Sequence, residues 1–150
     1  MAKSSVSDSY QEGLSTFYLE KLCGKADLVF RFGFALTLNR DGASECVYLT
    51  YKKLSKELSE IMKHNDTELR IKLLNVCWEA SKYSKTEYPV ENSGFAKFLM
   101  TLDQIARGSL IAVDVEGLTP SETAEIFGLE EMEIRKHLAT GRKALIEYSP

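Results

Sequence analysis

The sequence predicts an all-α fold made of two helical modules, and the second module ends in a helix-turn-helix. Three observations support this prediction. Apolar residues recur at helical spacing along the chain, beginning with Leu14, Phe17 and Tyr18. Val and Ile are scattered at helical spacing, so no segment shows the alternation of a strand. Finally, a strong helix start at Thr119 is followed by a helix-ending glycine, Gly128.

The helical pattern is interrupted once over a longer stretch. We expect a first module at residues 1–83, a linker at 84–94 and a second module at 95–150. The linker has no sustained apolar period, and its Pro89 disrupts a regular helix. Inside the first module, residues 39–42 (Asn-Arg-Asp-Gly) indicate a turn between two helices.

The composition is that of an ordinary folded protein, with 44% hydrophobic and 27% charged residues. No apolar run reaches the about 20 residues of a membrane helix, so we expect a cytoplasmic protein without a membrane partner. Cys23, Cys46 and Cys77 each lie among apolar residues, which predicts buried, reduced thiols. No metal-ligand spacing, cofactor motif or catalytic constellation is present, which argues against an enzyme and predicts neither metal nor cofactor.

The helix-turn-helix is best defined at its first helix. Thr119 fits the N-cap position, Pro120 fits the first helical position, and Glu122 completes a capping box with Thr119. Gly128 fits the left-handed residue that ends a helix. A second helix is expected from about residue 130 to 146.

The internal spacing of the unit fits two closely crossing helices. Ala124 supplies a small residue at the contact, Gly128 makes the turn, and Ile134 is a branched apolar residue facing back toward the first helix. We therefore take Thr119, Ala124, Gly128 and Ile134 as the framework. An ordinary helix pair joined by a glycine turn is the alternative interpretation.

Four segments surrounding this unit carry a family resemblance: VDVEGLT at 113–119, ETAEIFGL at 122–129, IRKHL at 134–138 and GRKAL at 141–145. They resemble the C-terminal, promoter-reading region of bacterial extracytoplasmic-function sigma factors, in the sigma-70 family. Residues 18–78 are more weakly similar to the N-terminal region of that family. The chain looks like a divergent or degenerate member.

The resemblance implies two kinds of contact. The N-terminal module would bind the RNA polymerase core. The second helix of the helix-turn-helix would enter the major groove of promoter DNA, with its basic residues on phosphates and base edges: Arg135, Lys136, Arg142 and Lys143.

Two departures from the family pattern bear on these contacts. The segment at 42–54 is usually rich in acidic and Gln side chains that grip the polymerase, but here Glu45 alone is acidic, and Lys52 and Lys53 reverse the charge. The first turn of the recognition helix carries carboxylates instead of small hydroxyl residues, an arrangement that repels phosphate. These carboxylates are Glu130, Glu131 and Glu133.

Two functions are therefore expected from the sequence. The first is a sigma-like regulator of transcription initiation that binds core polymerase and promoter DNA. The alternative is a sigma mimic that has lost DNA binding and holds an anti-sigma-like or other protein partner between its two halves. The acidic second half, with five Lys and Arg against nine Asp and Glu in residues 101–150, favours the mimic.

The aromatic residues of the first module also allow two interpretations. In sigma factors, aromatic side chains on the N-terminal helices help to open the promoter. At helical spacing among leucines, aromatic residues are more often part of a core. The residues concerned are Tyr48, Tyr51, Trp78 and Tyr83.

Overall fold

The computed structural model describes residues 12–83 and 87–148, and this part of the chain is helical with no strand, confirming the all-α prediction. Residues 12–16 are α-helical, and a segment of π and 3-10 geometry, Phe17–Leu22 and Cys23–Lys25, leads from them into the helix that begins at Ala26. The α-helices of the N-terminal half are α1 (Ala26–Thr37), α2 (Arg40–Leu54), α3 (Leu58–Ile61) and α4 (Asp66–Tyr83). Those of the C-terminal half are α5 (Gly94–Met100), α6 (Gln104–Leu110), α7 (Pro120–Phe127) and α8 (Glu131–Glu147), and a π-helical turn, Ile111–Val115, extends α6.

The connection between α1 and α2 is shorter than the sequence indicates. Leu38 ends α1 in the left-handed conformation, with φ of 56°. The side chain of Asn39 then caps α2 by accepting hydrogen bonds from Asp41 N at 2.8 Å and Gly42 N at 3.0 Å. Residues 40–42 are therefore the first turn of α2. The turn predicted for residues 40–42 is wrong, because Asn39 is the N-cap residue and the helix begins at the next residue, Arg40.

The linker prediction is covered in part by the structure. Residues 84–86 lie outside the described residues, as do residues 1–11 of the first predicted module. The described segment 87–93 is non-helical and is tied to the N-terminal half, because Asn39 Nδ2 donates a hydrogen bond to Pro89 O at 2.9 Å. This contact fixes the entry into α5.

Within each half, helices pack on small residues and branched apolar side chains. In the N-terminal half α1, α2 and α4 pack against one another, and in the C-terminal half α6, α7 and α8 do. A Cβ at Gly141 of α8 would lie only 2.8 Å from Leu110 Cδ1 of α6. Glycine at this position therefore permits the close crossing that positions α8.

The two halves share one hydrophobic cluster, and Phe127 of α7 stands where they meet. Its ring centroid is 5.8 Å from that of Phe32 in α1 and 5.0 Å from that of Trp78 in α4. A Cβ at Gly108 would lie 2.6 Å from Phe127 Cζ, so the glycine leaves space for this ring. The helix-turn-helix is thus packed directly against the N-terminal half.

Polar contacts accompany this packing at the end of α1. Arg107 of α6 donates from Nε to Ala35 O at 2.6 Å and from Nη2 to Leu36 O at 3.1 Å. Gln104 also donates to Leu36 O, at 3.0 Å. These carbonyls belong to the last turn of α1, where no intrahelical donor remains. Burial lowers the pKa of Arg107. The guanidinium group is nevertheless satisfied by its hydrogen bonds to these backbone carbonyls.

Glu116, which follows the π-helical turn, makes a second polar link between the halves. Its carboxylate pairs with Arg31 Nε at 2.6 Å, and its backbone carbonyl accepts from Arg70 Nη1 at 2.7 Å. Asn75 of α4 likewise donates to Ile126 O of α7 at 2.9 Å. Both α1 and α4 are therefore bonded to the C-terminal half.

All three cysteines are free, but they are not all buried. Cys46 and Cys77 lie in the core, as expected. Cys23 is exposed, so the prediction is wrong for this residue. The reason is that Cys23 opens a short 3-10 turn, Cys23–Lys25, which buries none of its residues.

Replacing Phe127 by Ala should lower the free energy of unfolding by about 3–5 kcal/mol, because it leaves a cavity between Phe32 and Trp78. Urea denaturation followed by circular dichroism measures the loss. The matched control is Phe95→Ala, since the Phe95 side chain is 56% exposed, and it should change stability by less than about 1 kcal/mol. Equal losses in the two variants would contradict the assigned packing.

Candidate nucleic-acid interface

The helix-turn-helix begins with a complete capping box. Thr119 Oγ1 accepts a hydrogen bond from Glu122 N at 3.1 Å, and the Glu122 carboxylate accepts one from Thr119 N at 2.8 Å. Pro120 occupies the first helical turn, where its missing N–H costs nothing. The start of α7 thus agrees with the sequence prediction.

The turn between α7 and α8 depends on Gly128. Its φ is 67°, a left-handed conformation, and its N–H donates to Ala124 O. The N–H of Leu129 donates to the same carbonyl at 3.1 Å. The Ala124 side chain is buried, and so is that of Ile134 on α8. Ala124 and Ile134 are therefore buried on either side of the glycine turn.

The outward surface of α8 carries the four basic residues expected to contact DNA, and two of them already have acidic partners. Arg135 Nε lies 3.6 Å from Glu131 Oε2, one turn earlier in the same helix. Arg142 holds Asp114 with Nη2–Oδ1 at 2.7 Å and Nε–Oδ2 at 3.2 Å. This pair raises the pKa of Arg142 above its ordinary value. The fork-like geometry makes it the stronger of the two pairs.

Lys136 and Lys143 form a separate stripe on α8. Both are exposed, and neither lies within ion-pair distance of a carboxylate in the described part of the chain. They are seven residues apart, close to two helical turns, so they point in nearly the same direction. Among the four basic residues of α8, these two lysines therefore carry the positive charge that no carboxylate of the described residues neutralises.

The carboxylates at the start of α8 take the positions that the sequence indicates. Glu130 is the N-cap residue, but its side chain makes no capping hydrogen bond. Glu131 and Glu133 lie in the first turn and are exposed. Negative charge here stabilises the helix through its dipole. It also makes the N-terminal end of α8 unfavourable for phosphate.

The segment at 42–54 forms most of α2 and presents a basic surface at its C-terminal end. Lys52 and Lys53 are exposed. Glu45, the acidic residue of the segment, accepts a hydrogen bond from the hydroxyl of Tyr88. The structure therefore retains the charge reversal noted in the sequence.

The aromatic residues of the N-terminal half do not share one environment. Tyr51 and Trp78 are buried, and Tyr51 donates its hydroxyl proton to Leu22 O. Tyr48 is 62% exposed. The side chain of Tyr83 lies outside the described residues. The core interpretation therefore holds for Tyr51 and Trp78 and is wrong for Tyr48.

Sequence reasoning missed Asp114 as the partner of Arg142. The two residues are 28 positions apart, and no local pattern connects them. It also missed Lys56, which extends the basic surface of α2 and lies four residues after Lys52. Lys56 lies in the turn two residues beyond the end of α2 at Leu54, so helical spacing alone does not place it.

Comparison with known proteins identifies this architecture. No known family model matches the chain, and no curated protein sequence does. Among solved structures, the chain is similar to the sigma factor RpoE from Bartonella quintana, which was crystallised in complex with the anti-sigma factor NepR. The match has 20% sequence identity and a TM-score of 0.67, and it covers 88% of this chain and 96% of that chain. The chain has a sigma-factor fold. Because the match covers most of both chains, this fold includes the N-terminal half as well as the helix-turn-helix.

Residues 12–83 and 87–148 contain neither a metal-binding cluster nor a helix that could span a membrane. No group of three or more His, Cys, Asp or Glu residues is arranged to hold a metal ion. No helix in these ranges has the length and apolar character needed to cross a membrane.

Replacing Gly128 by Ala should destabilise the protein by about 1–2 kcal/mol, because an L-residue is strained at positive φ. No atom lies within 4 Å of the added Cβ, so the cost is conformational and not steric. Thermal unfolding of Gly128→Ala and Gly128→Asn separates these causes, since Asn tolerates this conformation better than Ala. A larger loss for Asn than for Ala would contradict the argument.

Proposed function

We propose that this chain is a sigma-like regulator of transcription initiation. The observation that carries the proposal is the sigma-factor fold, which extends over both halves and ends in a capped helix-turn-helix. In this function, residues 1–83 bind the RNA polymerase core and residues 95–150 present α8 to promoter DNA, with 84–94 as the connection. The role is a binding role and requires no catalytic residue.

The charges on α8 determine how it meets DNA. Lys136 and Lys143 reach phosphates without first losing a partner. Arg135 and Arg142 must give up their carboxylate partners before they contact phosphates or base edges. The loss of each ion pair reduces the binding free energy that the arginine contributes. The acidic first turn is kept away from phosphate, although a carboxylate there can accept a hydrogen bond from cytosine. We therefore expect the C-terminal part of α8 to make most of the phosphate contacts.

A regulatory protein partner is the third expected contact. RpoE, to which this chain is similar, was crystallised with an anti-sigma factor. A groove of about 320 Å³ in this chain is lined by α1, the first residue of α2, α5 and the π-helical turn, so it spans both halves. Its lining is mainly apolar and aromatic, with two arginines: Phe30, Arg31, Phe34, Arg40, Phe95, Ile111 and Val115. An apolar helix of a regulator fits this lining, because both arginines already pair with carboxylates of this chain, Glu116 and Glu91.

The DNA contact is tested with duplexes selected from a randomised pool by the full-length protein. Binding should weaken steeply as salt rises from about 50 to 200 mM. Lys136→Ala and Lys143→Ala should each reduce the salt slope by about 1, because each removes a phosphate contact. Lys63→Ala, a charge-matched change in the N-terminal half, should leave the slope unchanged. Absence of salt-sensitive binding at low ionic strength would refute DNA recognition by α8.

Two substitutions test the arginines of α8 in opposite directions. Asp114→Asn frees Arg142 from its ion pair, so duplex affinity should rise and the salt slope should become steeper by about 1. Arg135→Glu should abolish duplex binding. Fluorescence anisotropy with the selected duplex measures both effects. Unchanged affinity in Asp114→Asn would show that Arg142 does not approach phosphate.

The polymerase contact is tested by passing core RNA polymerase from the native host over immobilised full-length protein. Retention of the core enzyme supports the sigma-like function. If the core enzyme is not retained, and Arg135→Glu binds a regulatory protein as tightly as the unmodified chain does, the chain acts as a sigma mimic. That result would overturn the proposal.

A further inference from the structure

The non-helical residues 87–93, which precede α5, lie against the start of α2, and we call them the strap. Glu91 attaches the strap there through two hydrogen bonds. Its N–H donates to Leu38 O at 2.9 Å, and its carboxylate accepts a hydrogen bond from Arg40 N at 2.8 Å. The strap is therefore held by polar contacts to the residues at which α2 begins.

Tyr88 extends the contact of the strap further along α2. Its hydroxyl donates a hydrogen bond to the carboxylate of Glu45. Its ring lies close to the backbone of Gly42, because a Cβ added at Gly42 would be 3.0 Å from Tyr88 Cδ2. Tyr88 therefore covers the surface of α2 between these two residues and engages the acidic side chain of the segment 42–54.

Tyr88 also forms one wall of a cavity of about 150 Å³ among α1, α2, α4 and α6. Cys46 lines the same cavity, and this cysteine is 3% exposed. Release of the Tyr88 ring would open the cavity on the side of the strap. The reactivity of the Cys46 thiol therefore reports whether Tyr88 is in place.

The strap is held less firmly than the helix beneath it. Among residues 87–93, Tyr88 and Glu91 are partly buried, and the other residues are exposed. In contrast, α2 buries Cys46, Tyr51 and Leu54 in the core. Segments with little buried apolar surface open at a lower free energy than the core elements around them. The strap can therefore leave α2 while α2 itself stays folded.

We propose that the strap is an autoinhibitory lid on the surface of α2 that binds RNA polymerase. This inference rests on the proposed function, in which the N-terminal module contacts the core enzyme. A partner that approaches Glu45 meets the Tyr88 ring first, so polymerase must displace the strap before it reaches the carboxylate. The apparent affinity for polymerase is then reduced by the fraction of molecules in which the lid is open.

A fixed connection between the two halves would require the hydrogen bonds of Glu91 but gives no reason for the bond between Tyr88 and Glu45. The two interpretations differ in what loosening of the strap does. A fixed connection leaves polymerase affinity unchanged when Tyr88 is removed. A lid predicts tighter binding, because the open form becomes more populated.

The first measurement follows alkylation of Cys46 by N-ethylmaleimide in the full-length protein, using mass spectrometry of its peptides. Tyr88→Ala should raise the labelling rate of Cys46 at least about tenfold, because it removes a hydrogen bond to a charged group. Cys23 is exposed and should be labelled at the same rate in every variant, which makes it an internal reference. Val90→Ala is the matched control in the strap, since Val90 is 42% exposed, and it should label like the unmodified chain.

The second measurement is binding of core RNA polymerase from the native host to the immobilised full-length protein. Tyr88→Ala should bind about tenfold more tightly than the unmodified chain. Glu91→Ala loosens the strap at its other attachment and should increase affinity about threefold or more. Val90→Ala should have no effect. Adding Glu45→Gln to Tyr88→Ala should cancel the gain, because the exposed carboxylate is the group that polymerase reaches.

Circular dichroism should show an intact fold in each strap variant, because Tyr88 and Glu91 lie outside the helices. Equal polymerase affinity in the unmodified chain, Tyr88→Ala and Glu91→Ala would overturn the lid and leave the proposed function in place. An unchanged labelling rate of Cys46 in Tyr88→Ala would also overturn it. Failure of every variant to bind polymerase would overturn the proposed function, and with it the lid.

Discussion

The seating of Phe127 is the contact on which the arrangement of the molecule depends. The ring belongs to the first helix of the helix-turn-helix, but its partners Phe32 and Trp78 belong to the N-terminal half. Aromatic contacts of this kind combine a large buried area with a preferred ring geometry. Gly108 is required at the same point because any side chain there would displace the ring. The direction in which α8 presents its basic residues follows from this packing, since α8 is fixed to α7 by the turn at Gly128.

Hydrogen bonds add further directional contacts between the two halves. Arg107 and Gln104 satisfy carbonyls at the end of α1, and Glu116 binds one arginine through its carboxylate and another through its backbone. Separating the halves would leave several of these partly buried groups without partners, at about 1–3 kcal/mol for each. Within the C-terminal half, Asp114 of the π-helical turn pairs with Arg142 of α8. The charge available to a ligand therefore differs from the charge counted in the sequence.

Local signals explain which features the sequence predicts well. The capping box at Thr119 and the left-handed turn at Gly128 each depend on a few adjacent residues, and both are present. The exposure of a side chain is harder to predict, because apolar residues at helical spacing do not reveal which face of the helix another helix will cover. Tyr48 and Trp78 have similar sequence surroundings, yet α7 covers Trp78 and Tyr48 remains exposed. For the candidate site, the sequence names the basic residues of α8, but it cannot show which are already neutralised by residues distant in the chain.

The capping of α1 by α6 has a consequence for motion. The last turn of a helix usually frays independently, since its carbonyls are free to exchange one water molecule for another. Here Ala35 and Leu36 are bonded to Arg107, so the end of α1 opens only when α6 also moves. Backbone amides in both helices should therefore exchange with deuterium through one shared opening event. Local unfolding at this junction would therefore involve both halves of the molecule, and not the end of α1 alone.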